Sequence, residues 1–354
     1  MADVQSMLSS VIGTGKAVVH KVGGEEIRRF IENQRDVAGG VEVTVIGDVG
    51  EVGASSGIVL FDASYESGLG RVTRELVLRH APATERRLFF EYDMARQFQV
   101  QRALQGSGVP VPEPVWLDPD GRWLGVPGYT MSRARGILPH TACFLRGPLV
   151  EVSPADREEM LGQVMKALVA IHTTDISASG LENFVMNAHG SAPLERCINW
   201  YWQTWEWVRL PHFARLVPVR RWLLDNLPSG EPELIHGDAN LHNYMFDGNR
   251  LVAVLDWEVS TLGRAEVDLA MQCVVNQLFA PEPDSGLLMP PSEEEWLATY
   301  HAAGGRPLRD FEYFKKLAAY MLLVALGALQ RNMTDAEREE HEPLLQPCWQ
   351  RVET

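Results

Sequence analysis

The hydrophobic pattern changes period near Gly136, and that change divides the chain. Before it, Val41–Ile46 is β-branched, Gly57–Phe61 is apolar, and Arg74–Arg79 carries Leu76, Val77 and Leu78. Gly/Ser-rich turns at Gly47–Ser56 and Glu66–Gly70 separate these runs, which predicts a meander of antiparallel strands. Glu85–Leu104 follows, with Leu88, Phe89, Tyr92, Ala95, Phe98 and Val100 at three- and four-residue spacing, the period of an amphipathic helix. Val109–Pro114 (VPVPEP) cannot continue it. Two more strands are expected around a DPDG turn at Asp118–Gly121, the second ending in Tyr129–Ser132. After Gly136 helices dominate. Ser153 and Pro154 make an N-cap and first-turn pair for a helix whose face holds Met160, Leu161, Val164, Leu168 and Ile171. Trp296–Tyr300, Phe311–Gln330 and Asp335–Leu345 also read as helices, and only Leu234–His236, Asn243–Phe246 and Leu251–Leu255 read as strands. The expectation is an α+β chain with a small β-rich lobe and a larger α-rich lobe, with a cleft as the default ligand site.

A length of 354 residues suits two domains or one bilobal unit at roughly 100–200 residues each. The 47 acidic and 32 basic side chains give a formal charge of −15, which repels duplex nucleic acid and anionic lipid. Neither nucleic acid nor membrane is therefore an expected partner. Cys143, Cys197, Cys273 and Cys348 lie far apart without a CxxC pair, so no disulfide framework or structural zinc is expected, and the reduced cytoplasm is. Residues 1–24 lack the basic start and unbroken apolar core of a signal peptide, since Lys16, His20 and Lys21 interrupt it. Leu317–Leu329 is too short for the ~20 residues of a membrane span and reads as a buried core helix. No internal repeat is present, which removes solenoid folds.

The chemistry is concentrated in Leu234–Ala270, LIHGDANLHNYMFDGNRLVAVLDWEVSTLGRAEVDLA. Asp238 sits in a turn after an apolar strand, Asn243 follows five residues later, and a hairpin turning at Asp247–Asn249 presents Asp256 at the end of a strand. Phosphoryl transfer needs one carboxylate to orient a hydroxyl and hard oxygen ligands to hold Mg²⁺ against phosphates. An Asp-x-x-x-x-Asn turn followed by a strand-end Asp supplies that set, at the spacing of a protein-kinase catalytic loop. His236 and His242 lack further ligands at zinc spacing.

His236-Gly237-Asp238-x-x-x-x-Asn243, Asp256-Trp257-Glu258 and Asp268-Leu269-Ala270 together resemble the aminoglycoside phosphotransferase and choline kinase-like superfamily, over roughly residues 40–330. The resemblance implies a bilobal protein kinase-like fold, with a small antiparallel N-lobe sheet and a mainly helical C-lobe. Residues 1–24 are then an extension, 25–131 the N-lobe and 132–354 the C-lobe. It also implies ATP, or another nucleoside triphosphate, and Mg²⁺ as cofactors, with Asp238 catalytic and Asn243 and Asp256 on the metal. The phosphate-covering loop falls at Gly53–Gly57, where backbone N–H groups and the hydroxyls of Ser55 and Ser56 could meet phosphate, beside Gly57; a plain Gly/Ser hairpin turn is the competing reading. Arg79 stands where the third strand usually bears lysine, and guanidinium still binds phosphate oxygens. Its expected ion-pair partner on the following helix is Glu91, with a solvated surface pair as the alternative. Tyr129–Gly136 resembles the hinge, with the backbone of Ser132 and Ala134 at the adenine edge and Met131 near its ring. His236 is expected to support the loop, Asp268 to tie it from beneath, and His172 to be structural.

Within that superfamily, AVLDWEVSTLG resembles kinase domains fused to, or encoded beside, acyl-CoA dehydrogenase-like proteins. That branch implies a hydroxyl acceptor such as a hydroxyacyl-CoA or hydroxy acid, and a functional link to such a dehydrogenase-like protein. Two rivals stand beside it: an aminoglycoside O-phosphotransferase, favoured by the negative charge, and a nucleotide-binding pseudokinase, disfavoured by the presence of Asp238, Asn243 and Asp256. Trp200, Trp202, Trp205 and Trp207 cannot share one helix face, so some belong to the core and others to a groove that could wall an apolar acceptor. Pro281–Pro291 is either a lid or a connection. The sequence leaves the oligomeric state unknown.

Overall fold

The computed structural model describes residues 22–48, 56–83, 87–331 and 333–354. They form two compact units. Unit 1 takes the described residues up to 102 together with 112–134, and unit 2 takes 103–111 and the described residues from 135 onward. The expected lobe boundary at 131/132 lies three residues from the observed one at 134/135.

Unit 1 is a five-stranded antiparallel sheet of β1 (Gly39–Asp48), β2 (Gly57–Ser67), β3 (Gly70–His80), β4 (Pro114–Asp118) and β5 (Gly128–Ser132), in the order β1-β2-β3-β5-β4. Alternation along the strands gives the sheet two apolar faces. Val59, Phe61, Leu76 and Leu78 pack with Ile27, Phe30 and Ile31 of helix α1 (Gly24–Glu32). Val77, Tyr129 and Met131 pack on the other face with Met94 and Phe98 of α2 (Met94–Ala103). The DPDG turn is held by the Asp118 carboxylate, which accepts from the N–H groups of Arg122, Trp123 and Leu124 at 2.8–2.9 Å.

α2 starts at Met94 rather than near Glu85. Asp93 is the reason: its carboxylate accepts from the Arg96 N–H at 3.0 Å, the geometry of an N-cap. The apolar residues before it pack as an irregular segment, in which the Leu88 N–H donates to the Tyr92 hydroxyl at 3.0 Å.

Unit 2 is helical, as expected. It comprises α3 (Pro148–Glu151), α4 (Pro154–His172), α5 (Pro193–Val208), α6 (Leu216–Asp225), α7 (Ala265–Leu278), α8 (Glu293–Ala302), α9 (Phe311–Gln330) and α10 (Asp335–Glu353). Ser153 caps α4 by accepting from the Asp156 N–H at 3.2 Å. α10 runs past the expected Leu345 despite Pro343 and Pro347, because Cys348, Trp349 and Val352 are buried there. Two small antiparallel pairs complete the unit: β6 (Glu233–Ile235) with β9 (Thr261–Gly263), and the hairpin β7 (Tyr244–Asp247) with β8 (Arg250–Val254). β9 was not expected, since three residues carry too little pattern to read. Leu317–Leu329 lies inside α9 with most of its side chains buried, and no described helix is long and apolar enough to cross a membrane. Pro281–Pro291 connects α7 to α8 and contains one 3₁₀ turn, Pro283–Ser285. Leu104 and Val109, in the segment that leaves unit 1, are buried, and the Val254 N–H donates to the Pro110 carbonyl at 2.7 Å.

Candidate active site

The loop after β6 is fixed from below by one carboxylate. Asp268, in the first turn of α7 and fully buried, accepts from the backbone N–H groups of His236 and Gly237, both at 2.8 Å. It also lies 3.0 Å from His172 Nε2 at the end of α4, while His172 Nδ1 lies 2.9 Å from the Tyr300 hydroxyl. Gly237 has φ 82°, and a Cβ there would come within 2.3 Å of the Val259 carbonyl oxygen, so this turn requires glycine. His236 Nδ1 accepts from the Asp238 N–H at 3.3 Å, which places the ring proton on Nε2, where it donates to the Leu255 carbonyl at 2.8 Å. The imidazole rests on Trp257, with ring centroids 4.6 Å apart. It braces the loop on both sides.

Asp238 is half-buried at the loop's tip. Asn240 Nδ2 donates to its Oδ1, and Asn243 Nδ2 donates to its Oδ2 at 3.0 Å and to its backbone carbonyl at 2.8 Å. Two amides thus orient one carboxylate. The loop backbone is tied further by Gln272 of α7, whose Oε1 accepts from the Leu241 N–H at 2.9 Å. The Leu255 N–H donates to the Asn243 carbonyl at 2.9 Å, which brings Asn243 beside the segment that carries Asp256. Asp256 has φ 62°, a left-handed conformation that a non-glycine residue seldom adopts outside functional turns.

The donor set can be matched to a cation. With Nδ2 of Asn243 spent on Asp238, its Oδ1 has no hydrogen-bond partner among the described residues, and Asp256 adds a carboxylate. Among the described residues no group of three or more His, Cys, Asp or Glu could hold a metal, which speaks against a zinc-type site. Two hard oxygen donors leave the remaining positions to water and phosphate, which fits Mg²⁺.

In unit 1, Ser55 lies outside the described residues. Ser56 is buried with its Oγ lacking a hydrogen-bond partner, and Gly57 opens β2. A Cβ on Gly57 would meet the His80 ring at 2.2 Å. Arg79 is buried in β3, directly opposite Ile58 and Tyr129. Glu91 is not on the helix as expected but three residues before its first position, because Asp93 starts α2. The buried polar groups of the helix are Gln97 and Gln101, which sequence reasoning missed. Met131 is buried in β5. The Ser132 N–H donates to the Glu113 carbonyl at 2.8 Å, and Ser132 Oγ accepts from the Glu113 N–H at 2.9 Å. Arg133, also missed, anchors the segment: its N–H donates to the Glu75 carbonyl at 3.0 Å, and its guanidinium reaches Asp62 at 2.7 Å. The Ala134 N–H makes no hydrogen bond among the described residues.

α5 divides its tryptophans as the spacing requires. Trp200 is buried with Tyr201, while Trp202 and Trp205 are half-buried and stacked, with centroids 4.2 Å apart and an interplanar angle of 22°. Trp207 faces Arg331, whose guanidinium lies 3.8 Å from the ring centre. Burial first, then Cys197 and the charges of Asp238 and Glu258, hold the Tyr201 hydroxyl well above its usual pKa, so α5 passes within electrostatic range of the loop carboxylate.

Residues 62–320 match the phosphotransferase enzyme family known as APH. The chain belongs to that family. Acyl-CoA dehydrogenase family member 11 of Homo sapiens is 30% identical over 68% of this phosphotransferase chain and 32% of its own length. Acyl-CoA dehydrogenase family member 10 of Mus musculus is 29% identical over 74% of this chain and 25% of its own length. The phosphotransferase chain thus spans about a third or less of these curated relatives. Among solved structures, a candidate aminoglycoside phosphotransferase from Ralstonia eutropha superposes with a TM-score of 0.65 at 22% identity, covering 92% of this chain and 96% of the other. A mutant aminoglycoside phosphotransferase in complex with AMP-PNP and hygromycin B gives 0.52 at 17% identity, covering 93% and 98%. These likenesses establish the α+β, protein kinase-like fold of the phosphotransferase.

Proposed function

We propose that this phosphotransferase is an ATP- and Mg²⁺-dependent kinase of a small-molecule hydroxyl, with a hydroxyacyl-CoA or hydroxy acid as acceptor. The observation that carries the reading is the Asp238 carboxylate, presented on a buried, hydrogen-bonded loop and oriented by the amides of Asn240 and Asn243. In this reading Asp238 aligns the acceptor hydroxyl and takes its proton late, which suits the loose transition state of phosphoryl transfer. Asn243 Oδ1 and the Asp256 carboxylate would hold Mg²⁺, which neutralises phosphate charge when bound. In unit 1, Arg79 would meet phosphate oxygens, with Ser56 and Gly57 at the phosphate loop, Met131 near the base, and Ser132 and the Ala134 N–H at its edge. Ser55 and Glu91 remain secondary members of this set.

The acyl-type acceptor is supported by the stacked indoles of Trp202 and Trp205 on the helix that passes Asp238, and by the names of the curated relatives. An acyl-CoA dehydrogenase-like protein is the partner this reading implies, and the cytoplasm the compartment. The test is turnover with ATP and Mg²⁺ against hydroxyacyl-CoAs, hydroxy acids, aminoglycosides and amino alcohols. Transfer to the acyl acceptors is expected; transfer confined to aminoglycosides would replace the acceptor class, and no transfer to any would favour a pseudokinase. Asp238→Asn should cut the rate by ~10²–10⁴-fold while nucleotide affinity by calorimetry barely changes. Wild-type turnover in that variant would sink the mechanism.

A further inference from the structure

Helix α2 covers the sheet face that bears Arg79. Residues directly opposite on antiparallel strands point to the same side, and Arg79 stands opposite Tyr129. Tyr129 faces α2: its ring meets Phe98 edge-on at 6.0 Å, and its hydroxyl accepts from Gln101 Nε2 at 2.5 Å. Met94, at the other end of the helix, packs in one cluster with Val77 and Ala81. Those two residues flank Arg79 at the two-residue spacing that shares a face. Gln97 lies one turn before Gln101 and one after Met94, on the same side of the helix. It is 1% exposed, and its Oε1 is buried without a hydrogen-bond partner.

A buried carbonyl oxygen without a protein donor is costly, and such a group in a native core calls for a specific explanation. Guanidinium is its chemical complement, with five N–H donors and no acceptor. We propose that Gln97 positions Arg79 for nucleotide phosphate, its Oε1 accepting a guanidinium N–H when the phosphates are bound. The inference rests on the nucleotide-binding part of the reading above. It adds a residue of the helix itself to the set that includes Glu91, which stands three residues before the first helical position. A neutral acceptor differs from a carboxylate in one respect. It aims the guanidinium without itself cancelling any of its charge.

The test is calorimetric affinity for MgATP in the full chain, for wild type, Gln97→Met and Gln97→Glu, each with Arg79 present and with Arg79→Ala. Methionine keeps the volume and removes the acceptor, so affinity should fall about tenfold. Glutamate keeps an acceptor oxygen and should recover most of that loss. With Arg79→Ala, Gln97→Met should cause no further loss, because the two side chains act as one unit. A purely structural glutamine would instead lower the melting temperature and weaken binding equally in both backgrounds, and that result would overturn the inference. Unchanged affinity in Gln97→Met overturns it as well. Wild type that binds no MgATP would overturn the kinase reading and this inference together, whereas wild type that binds while Gln97→Met binds equally overturns this inference alone.

Discussion

Asp256 carries two demands at one position. Its place two residues after β8 supplies an oxygen donor, and its φ of 62° puts an L-residue in left-handed backbone. Aspartate tolerates that region better than most residues, but alanine there costs roughly 1–2 kcal/mol and glycine costs nothing sterically. Asp256→Gly should therefore melt at or above wild type and Asp256→Ala below it, with transfer lost in both. Differential scanning calorimetry separates the backbone term from the ligand term; equal melting of the two variants would remove the strain argument. At this scale the local arrangement of the candidate residues was legible. Asp238, Asn243 and Asp256 fall in a fixed order along one strand–turn–hairpin pattern, so their proximity follows from local geometry. Asn240 and Gln97 were not legible, because an amide's role depends on where its two ends point, and residue type does not encode that. A signal for Gln97 was nevertheless present: Asp93 read as an N-cap puts Gln97 and Gln101 one turn apart on the helix.

The elements that hold the site are short, and their stability comes from α7. Asp268 satisfies two backbone N–H groups and lies within hydrogen-bond distance of His172 Nε2, in a fully buried setting. Asp268→Ala should cost roughly 3 kcal/mol or more, since each buried donor left without an acceptor costs ~1–3 kcal/mol. Asp268→Asn keeps one acceptor oxygen and should cost less. Urea unfolding of the two variants decides this, and equal losses would show that carboxylate geometry is not what holds the loop. Helices with long amphipathic faces, α4 and α9 above all, were readable from period alone. β9 was not, because its pairing with β6 is fixed by tertiary packing. The C-terminal end of α10 was misjudged for a related reason: burial of Cys348, Trp349 and Val352 outweighs the two prolines.

Across the whole molecule, composition predicted reduced thiols, and Cys143, Cys197, Cys273 and Cys348 are free and buried. Burial pushes each thiol up to about 12, so at pH 8 almost none is thiolate in the native state. A thiol reagent should label the folded protein negligibly and all four cysteines after denaturation. Rapid labelling of any of them in the native protein would contradict that burial. All four lie in unit 2, so labelling reports the unfolding of that unit. Two units of contrasting texture were legible from the change of period at Gly136, but the transfer of residues 103–111 to unit 2 was not, because all but the first of them lie outside helix and strand and announce no allegiance. That small segment has a genetic consequence. The chain passes from one unit to the other after Arg102, Val111 and Ala134, so neither unit is one continuous stretch of coding sequence. A crossover at any single point divides at least one of them: a break after Ala134 takes Leu104 and Val109 from unit 2, and an earlier one takes β4 and β5 from unit 1. A single crossover therefore cannot exchange one unit and spare the other; that exchange takes three, one at each boundary.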